Sequence, residues 1–141
     1  MNQPKSFFLI AMLFAFCGVR SQTLRVEVSS IKAKKGEVLL ALFNKPDGFP
    51  FETSKSVRLL KGNPDQGAVS FQIDMLPPGK YAIALFHDVN ADGKLNLNLL
   101  GIPKEGYGVS NNAYNTFSAP RFSEASFSHE KNSLQKIIMQ Y

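Results

Sequence analysis

The sequence has no tryptophan, a single cysteine and only two histidines among its 141 residues. A lone cysteine excludes a disulfide framework and a zinc site built on thiolates. Two histidines are too few for a catalytic zinc centre with three histidine ligands. The sequence also lacks a nucleophile elbow, a phosphate-binding glycine loop and a metalloprotease helix motif. It therefore contains no established catalytic motif.

Charge is scarce as well, since 19% of the residues are charged and 16 Lys and Arg stand against 11 Asp and Glu. Lys5 and Arg20 belong to the first 21 residues, so the rest of the chain has 14 basic residues against the same 11 acidic ones. Those basic residues form no dense stripe with interleaved aromatic residues. We therefore expect no nucleic-acid partner.

One hydrophobic run, FFLIAMLFAFCGV at residues 7–19, follows a polar start that contains Lys5. Val19 and Ser21 then put small residues at the −3 and −1 positions of a cleavage before Gln22. This order is typical of a secretory signal peptide, and the run is too short to span a bilayer comfortably. We predict a cleaved signal peptide at residues 1–21, with a retained membrane anchor as the alternative. The mature domain, residues 22–141, would have no membrane span and would reach the periplasm, the cell surface or the medium.

The rest of the chain has the pattern of short strands and turns. Apolar and polar residues alternate over residues 24–29, as in a half-buried strand. Further strands are predicted at residues 37–43, 56–60, 68–73, 81–88, 121–128 and 134–141. About seven short strands without an amphipathic helix predict an all-β fold, a single antiparallel β-sandwich of immunoglobulin or transthyretin type, with a small barrel as the alternative. Tyr81 follows the turn Pro77-Pro78-Gly79 and resembles a tyrosine corner, whose phenol bonds to nearby backbone.

Residues 88–115 form a long segment with neither strand nor helix periodicity. Loops of this length in a compact domain are usually functional or disordered, so any chemistry is expected here. Its Asn and Gly residues tolerate left-handed backbone and supply polar side chains. We expect an ordered loop anchored by its apolar residues, which are Leu95, Leu97, Leu99, Leu100, Ile102, Tyr107 and Val109.

The loop begins with the sequence DVNADGKLN, residues 88–96, which resembles the first half of an EF-hand calcium loop. The predicted calcium ligands are the side chains of Asp88, Asn90, Asp92 and Asn96 and the backbone carbonyl of Lys94. The twelfth position is Leu99 rather than a bidentate Glu, and the loop follows a strand, so binding is expected to be weak unless Glu105 folds in. The alternative is a network of Asx-turns, in which the same side chains accept backbone N–H groups.

His87 shares the expected core face of its strand with Tyr81 and lies at the end of that row. We expect it at the rim of the core, hydrogen-bonded to loop backbone. The alternative is a general base or ligand with Asp88, Glu105 or Tyr107 nearby.

Four further aromatic side chains also have predicted places. His129 lies in a polar hairpin and is expected to be exposed. Phe117, Phe122 and Phe127 are expected in the sandwich core, with Phe122 and Phe127 on different faces of their strand. An aromatic binding platform is the alternative.

The segment LPPGKYAIALFHDVNADGKLNLNLLGIPKEGYGVSNNA, residues 76–113, resembles the signature of an uncharacterised bacterial family, domain of unknown function 2141. The resemblance implies an exported β-sandwich and no agreed activity. The family often shows Asp where this chain has Asn96, which removes a negative charge from a cation site. The motif positions carried over are His87, Asp88, Asn90, Asp92, Gly93, Leu95, Gly101, Pro103, Glu105, Gly106, Tyr107, Gly108, Ser110, Asn111 and Asn112.

Three functional hypotheses follow. The favoured one is an exported, non-enzymatic binding or interaction module whose polar loop recognises an extracytoplasmic ligand or protein. Its loop surface would comprise Glu105, Tyr107, Ser110, Asn111 and Asn112. The second is a small enzyme that uses His87 with Asp88 or Glu105 as acid and base. The third is a carrier of a small apolar ligand in a cavity between the two sheets.

Overall fold

The computed structural model describes residues 22–141, so the predicted signal peptide lies outside the described residues. Two short 3₁₀ turns at Thr53–Lys55 and Ser110–Asn112 and one short helix, α1 at Phe122–Ala125, interrupt the strands. No helix in the described part of the chain is long and apolar enough to cross a membrane. The strands are β1 (Leu24–Ser29), β2 (Glu37–Phe43), β3 (Arg58–Gly62), β4 (Val69–Ile73), β5 (Gly79–Asp88), β6 (Tyr107–Val109), β7 (Phe127–His129) and β8 (Ser133–Ile138).

The strands form two sheets, which confirms the predicted β-sandwich. The smaller sheet has the order β4-β1-β8, and the larger has the order β3-β2-β5-β6, with β7 paired to the start of β5. The pairing is not antiparallel throughout, because β1 and β8 run parallel. Parallel neighbours need a long connection, and here they are the first and last strands of the domain.

The main core lies between the two sheets. Alternate residues of β5, Tyr81, Ile83 and Leu85, face it together with Val26 of β1 and Ile137 of β8. The hydroxyl of Tyr81 donates to the carbonyl of Pro77 at 2.8 Å, which confirms the predicted tyrosine corner. His87, at the end of the same row, is fully buried.

The two central strands, β2 and β5, are buried on both faces, which explains their nearly continuous apolar sequence. A second apolar cluster covers part of the outer face of the larger sheet. It joins Phe43 of β2 and Ala82 of β5 to Phe122 of α1 and Phe49 of a preceding loop. Loops therefore form a third layer on this side of the sandwich, and that layer positions the candidate site.

The prediction of a strand at residues 121–128 was wrong in its first half, which is α1. The Glu124 carboxylate accepts the Arg121 N–H at 2.7 Å and begins a helical turn, and only β7 continues as a strand. Phe127 packs between the sheets, as predicted. Phe122 lies in α1 and packs half-buried against the outer cluster, so its predicted place on the same strand in the sandwich core was wrong. Phe117 is 99% exposed, so its predicted place in the core was wrong.

The prediction of an exposed His129 was also wrong, because this side chain is fully buried. Its Nε2 lies 3.2 Å from the Leu76 carbonyl, and its Nδ1 lies 2.6 Å from the Ser133 hydroxyl. The ring also packs edge-on against Tyr81. The polar hairpin folds back over the tyrosine corner, a contact between distant segments that hairpin composition does not reveal.

Candidate functional site

The turn at the start of the long loop is organised by Asp88, whose side chain is almost fully buried. One carboxylate oxygen accepts the N–H of Asp92 at 3.1 Å, and the other accepts the N–H of Gly93 at 2.7 Å. Gly93 has φ of +76°, in the left-handed region where glycine is favoured. The last residue of β5 therefore folds the following segment back upon itself.

Asp92 is the second centre of this turn. Its Oδ1 accepts the Lys94 N–H at 2.9 Å, and its Oδ2 accepts the side-chain amides of Asn90 and Asn96, each at 3.0 Å. These donors, the Asn96 amide first, lower the pKa of Asp92 below its usual value. The turn is thus a closed set of Asx-type hydrogen bonds.

Glu105 reaches back to the same turn from the far end of the loop. Its two carboxylate oxygens accept the backbone N–H groups of Val89 and Asn96, each at 3.1 Å. The Asn96 side-chain amide donates to Glu105 as well. Glu105 therefore joins the two ends of the segment 89–105 from a largely buried position.

The predicted calcium ligands, Asp88, Asn90, Asp92, Lys94 and Asn96, do come together in this turn. Their carboxylate oxygens, however, accept N–H groups, and both amides present their NH₂ groups to Asp92. Within residues 22–141 no group of three or more His, Cys, Asp or Glu side chains is arranged to hold a metal ion. As arranged, the donor set does not fit a cation, and calcium binding stays a prediction from sequence.

The three residues of the acid–base hypothesis lie near one another but point in different directions. His87 faces the sandwich core, where Nε2 lies 2.8 Å from the Lys35 carbonyl and Nδ1 lies 3.0 Å from the Tyr141 hydroxyl. Asp88 and Glu105 serve the turn on the other side of β5. All three are buried and have hydrogen-bond partners, and none of them lines the large cavity on the outer face of the sandwich.

Ser110, Asn111 and Asn112 fasten the end of the loop to two other segments. The buried Ser110 hydroxyl donates to the Ala125 carbonyl at 2.5 Å and accepts the Ile83 N–H at 2.9 Å. Asn111 and Asn112 both have positive φ, as expected for residues that tolerate left-handed backbone. The Asn111 amide donates to the Ser126 carbonyl at 2.9 Å.

Asn112 bonds to the open edge of β8. Its amide donates to the Lys136 carbonyl at 3.1 Å, and its Oδ1 accepts the Ile138 N–H at 2.8 Å. The Tyr114 hydroxyl donates to the Ile138 carbonyl, and burial raises the pKa of Tyr114 to about 12. Side chains thus occupy backbone groups of an edge strand that would otherwise be free to pair.

A groove on the outer face of the larger sheet was not predicted from the sequence. Its volume is about 790 Å³. Its floor includes a cross-strand row of small residues, in which Ala41 of β2 pairs with Ala84 of β5 and Ala84 with Val109 of β6. Phe86 and Tyr107, another registered pair, continue the floor. The small side chains on the outer face leave room for the groove, whereas the larger side chains on the inner face fill the space between the sheets.

Three loop segments form the walls of this outer groove, around residues 50–53, 93–103 and 115–120. Several apolar wall residues are exposed to solvent. The prediction that apolar residues anchor the loop was therefore wrong for Leu97, Leu99, Leu100 and Ile102. Leu100 is 83% exposed, and Phe117 on another wall segment is 99% exposed. The other exposed apolar wall residues are Phe51, Leu97 and Ile102.

One sequence pattern could have indicated the outer groove. In β2 and β5 large residues alternate with small ones, as in Leu40-Ala41-Leu42 and Ile83-Ala84-Leu85. Alternation places the large residues between the sheets and the small ones outside. The wall residues gave no such signal, because their apolar character is equally typical of buried loop anchors.

The fold and these loops define an all-β sandwich protein with a hydrogen-bonded loop on one side and an apolar groove beside it. The chain belongs to the bacterial family described as "Uncharacterized protein conserved in bacteria", domain of unknown function 2141, which matches residues 26–137. The family resemblance of the sequence is thereby confirmed. No curated protein and no solved structure matches the chain. The family description carries no activity, so function has to be argued from the site.

Proposed function

We propose that this protein is an exported, non-enzymatic binding module whose ligand is apolar and lies in the outer groove. The observation that carries the proposal is the set of solvent-exposed apolar side chains, Leu100, Ile102 and Phe117 among them, around a floor of small residues. Contiguous exposed apolar surface of this kind usually marks an interaction site. The groove volume also lies within the range of small-molecule sites.

The long loop remains the recognition element, but its apolar side chains bind the ligand instead of its polar ones. The polar side chains of the loop bond to the loop itself or to neighbouring segments, as Glu105 and Ser110 do. The apolar side chains instead face the groove. The proposed ligand site is on the outer face of the larger sheet. It differs from the carrier alternative drawn from the sequence, whose cavity would lie between the sheets, where packed side chains form the core.

The acid–base alternative has less support. A general base needs an available lone pair within reach of a substrate. Both ring nitrogens of His87 have protein partners, and the ring is fully buried. Asp88 and Glu105 likewise accept backbone N–H groups.

The test is a titration of the protein, exported from a bacterial host, with a neutral naphthylamine dye whose fluorescence rises in apolar surroundings. We expect saturable binding that Leu100→Asp weakens about tenfold, because a carboxylate at the wall opposes an apolar ligand. Met75→Asp is the matched control, since Met75 is 76% exposed in a turn outside the groove. Circular dichroism verifies that both variants fold.

Two results contradict the proposal. One is that the dye does not bind the folded protein. The other is equal binding to the Leu100→Asp and Met75→Asp variants, which would place the dye elsewhere.

A further inference from the structure

We infer that the ligand of the outer groove is an anionic amphiphile, a long-chain carboxylate whose head group is held by Lys94. This inference rests on the proposed function and adds the charge of the ligand and the residue that binds its charged head group. Three observations support it: the charge of the lining, the lack of an ion-pair partner for Lys94, and the apolar floor.

Among the described residues that line the groove, Lys94 is the one charged side chain. No aspartate or glutamate of this part of the chain lines it. The other polar wall residues are uncharged, namely Thr53, Asn115, Thr116 and Ser118. An apolar site bordered by a single positive charge complements a ligand with an apolar body and a single negative charge.

Lys94 is exposed and forms no ion pair with any residue in the range 22–141. The nearby Asp92 carboxylate interacts with the charge of Lys94 only from beyond ion-pair distance, and its oxygens accept N–H groups of Lys94, Asn90 and Asn96. The ammonium group of Lys94 is therefore available to an external anion. Its exposure lets the head group of the ligand remain in contact with water while the chain is buried.

The floor suits a hydrocarbon chain because the row Ala41, Ala84 and Val109 has no polar side chain. Phe86 and the ring of Tyr107 extend this floor, and Leu100 and Phe117 belong to two different wall segments. A hydrocarbon chain has no polar groups, so the apolar floor can bury it without leaving a ligand group that lacks a hydrogen-bond partner.

The experiment compares palmitate with cetyl alcohol by calorimetric titration at low ionic strength, below the concentrations at which either aggregates. The two probes share their hydrocarbon chain length and differ in head group. We expect palmitate to bind about fivefold more tightly than cetyl alcohol, because a favourable exposed ion pair increases affinity by about this factor. Lys94→Gln should reduce this ratio to about one, because palmitate then loses the ion pair that cetyl alcohol never makes. Added salt should reduce the ratio in the native protein as well.

Lys104→Gln is the matched control, since Lys104 is an exposed lysine of the same loop that does not line the groove. It should retain the preference for palmitate. Equal binding of the two probes by the native protein, or a preference that survives Lys94→Gln, overturns this inference and leaves the apolar groove standing. Failure of the naphthylamine dye and of both probes to bind overturns the proposed function too. Binding to anionic vesicles without binding of monomeric palmitate overturns the inference in favour of a membrane surface.

Discussion

The hydroxyl of Tyr141 lies 3.0 Å from Nδ1 of the buried His87, which joins the last residue of the chain to the end of β5. Nε2 of His87 lies 2.8 Å from the Lys35 carbonyl, which can only accept, so in the neutral ring Nε2 is the donor and Nδ1 the acceptor for Tyr141. The same hydroxyl accepts the Lys32 N–H at 2.9 Å. One phenol therefore satisfies two groups and closes this end of the sandwich.

Tyr141→Phe should lower the free energy of unfolding by about 1–3 kcal/mol, because it leaves Nδ1 of His87 and the Lys32 N–H without this partner. Urea denaturation measures the change. Tyr107→Phe is the control, because the Tyr107 hydroxyl has no hydrogen bond within residues 22–141. Equal stability of the two variants would show that the Tyr141–His87 contact contributes nothing.

Asn112→Gly should lower the free energy of unfolding by roughly 1–2 kcal/mol, because both bonds to β8 are lost. Glycine keeps the left-handed backbone of this position available, so the loss reports the side chain. Hydrogen exchange at the Ile138 amide should also accelerate, since Oδ1 of Asn112 is its acceptor. Gln66→Gly, at another exposed position of positive φ, is the control and should leave that amide protected.

Glu124→Gln should make the free energy of unfolding fall less steeply as the pH is lowered into the acid range. The backbone N–H of Arg121, then its guanidinium and the Asn115 amide, lower the pKa of Glu124 to about 2 in the folded protein, against an ordinary value of 4.5. A depressed folded pKa contributes stability above pH 4.5, and this contribution is lost as the pH falls towards 2. Urea denaturation at a series of pH values tests the slope.

Glu130→Gln serves as the matched control for that experiment. Glu130 is an exposed glutamate that forms no hydrogen bond or ion pair with other residues of the described range. An acid profile that changes equally in the two variants would rule out the Arg121–Glu124 pair as the source of the slope.

Calcium should leave the melting temperature of the exported protein unchanged, because the carboxylates of Asp88 and Asp92 already accept N–H groups. The measurement is a thermal melt in millimolar calcium and again in excess chelator. A micromolar site would stabilise the fold by about 4 kcal/mol under these conditions, a shift of several degrees. Such a shift, abolished by Asp92→Asn, would establish the calcium site.

Expression of the full chain in a bacterial host should yield an exported protein that begins at Gln22. Mass spectrometry of the recovered protein gives the N-terminus. Val19→Asp should block processing and accumulate the uncleaved chain, because the −3 position requires a small uncharged residue. A protein that keeps residues 1–21 in its native form would instead favour a membrane anchor.

Local patterns predicted much of the fold. The extent of β1 follows from its alternation, that of β2 from its nearly continuous apolar run, and the tyrosine corner from the turn before Tyr81. The three-residue β6 was not predicted because its sequence, with Gly108 at its centre, has no strand period; its pairing to β5 defines it. The residues 121–128 were misassigned because a single side chain, Glu124, begins a helical turn there.

The candidate site was only partly predictable. The sequence singled out Asp88 and Asp92 as calcium ligands, with Asx-turns as the alternative, and Glu105 as a residue that could fold in. The hydrogen bonds of the Asx-turn alternative are present, and Glu105 does fold in. The outer groove could not be predicted, since Leu100 and Phe117 look like core residues until their surroundings are known. The sequence also placed His129 outside, although a contact with Leu76, distant in the chain, buries it.

The sequence by itself determined the short alternations Leu40-Ala41-Leu42 and Ile83-Ala84-Leu85, which give the middle of each central strand a small-residue face. It also determined the glycines and asparagines that turn the long loop, because these properties depend on residues close together in the chain. Only the tertiary structure decided that the small-residue face forms a groove floor, that Asn112 occupies the edge of β8, and that Tyr141 satisfies His87. These outcomes depend on strand register and on which distant segments meet, and no local pattern contains that information.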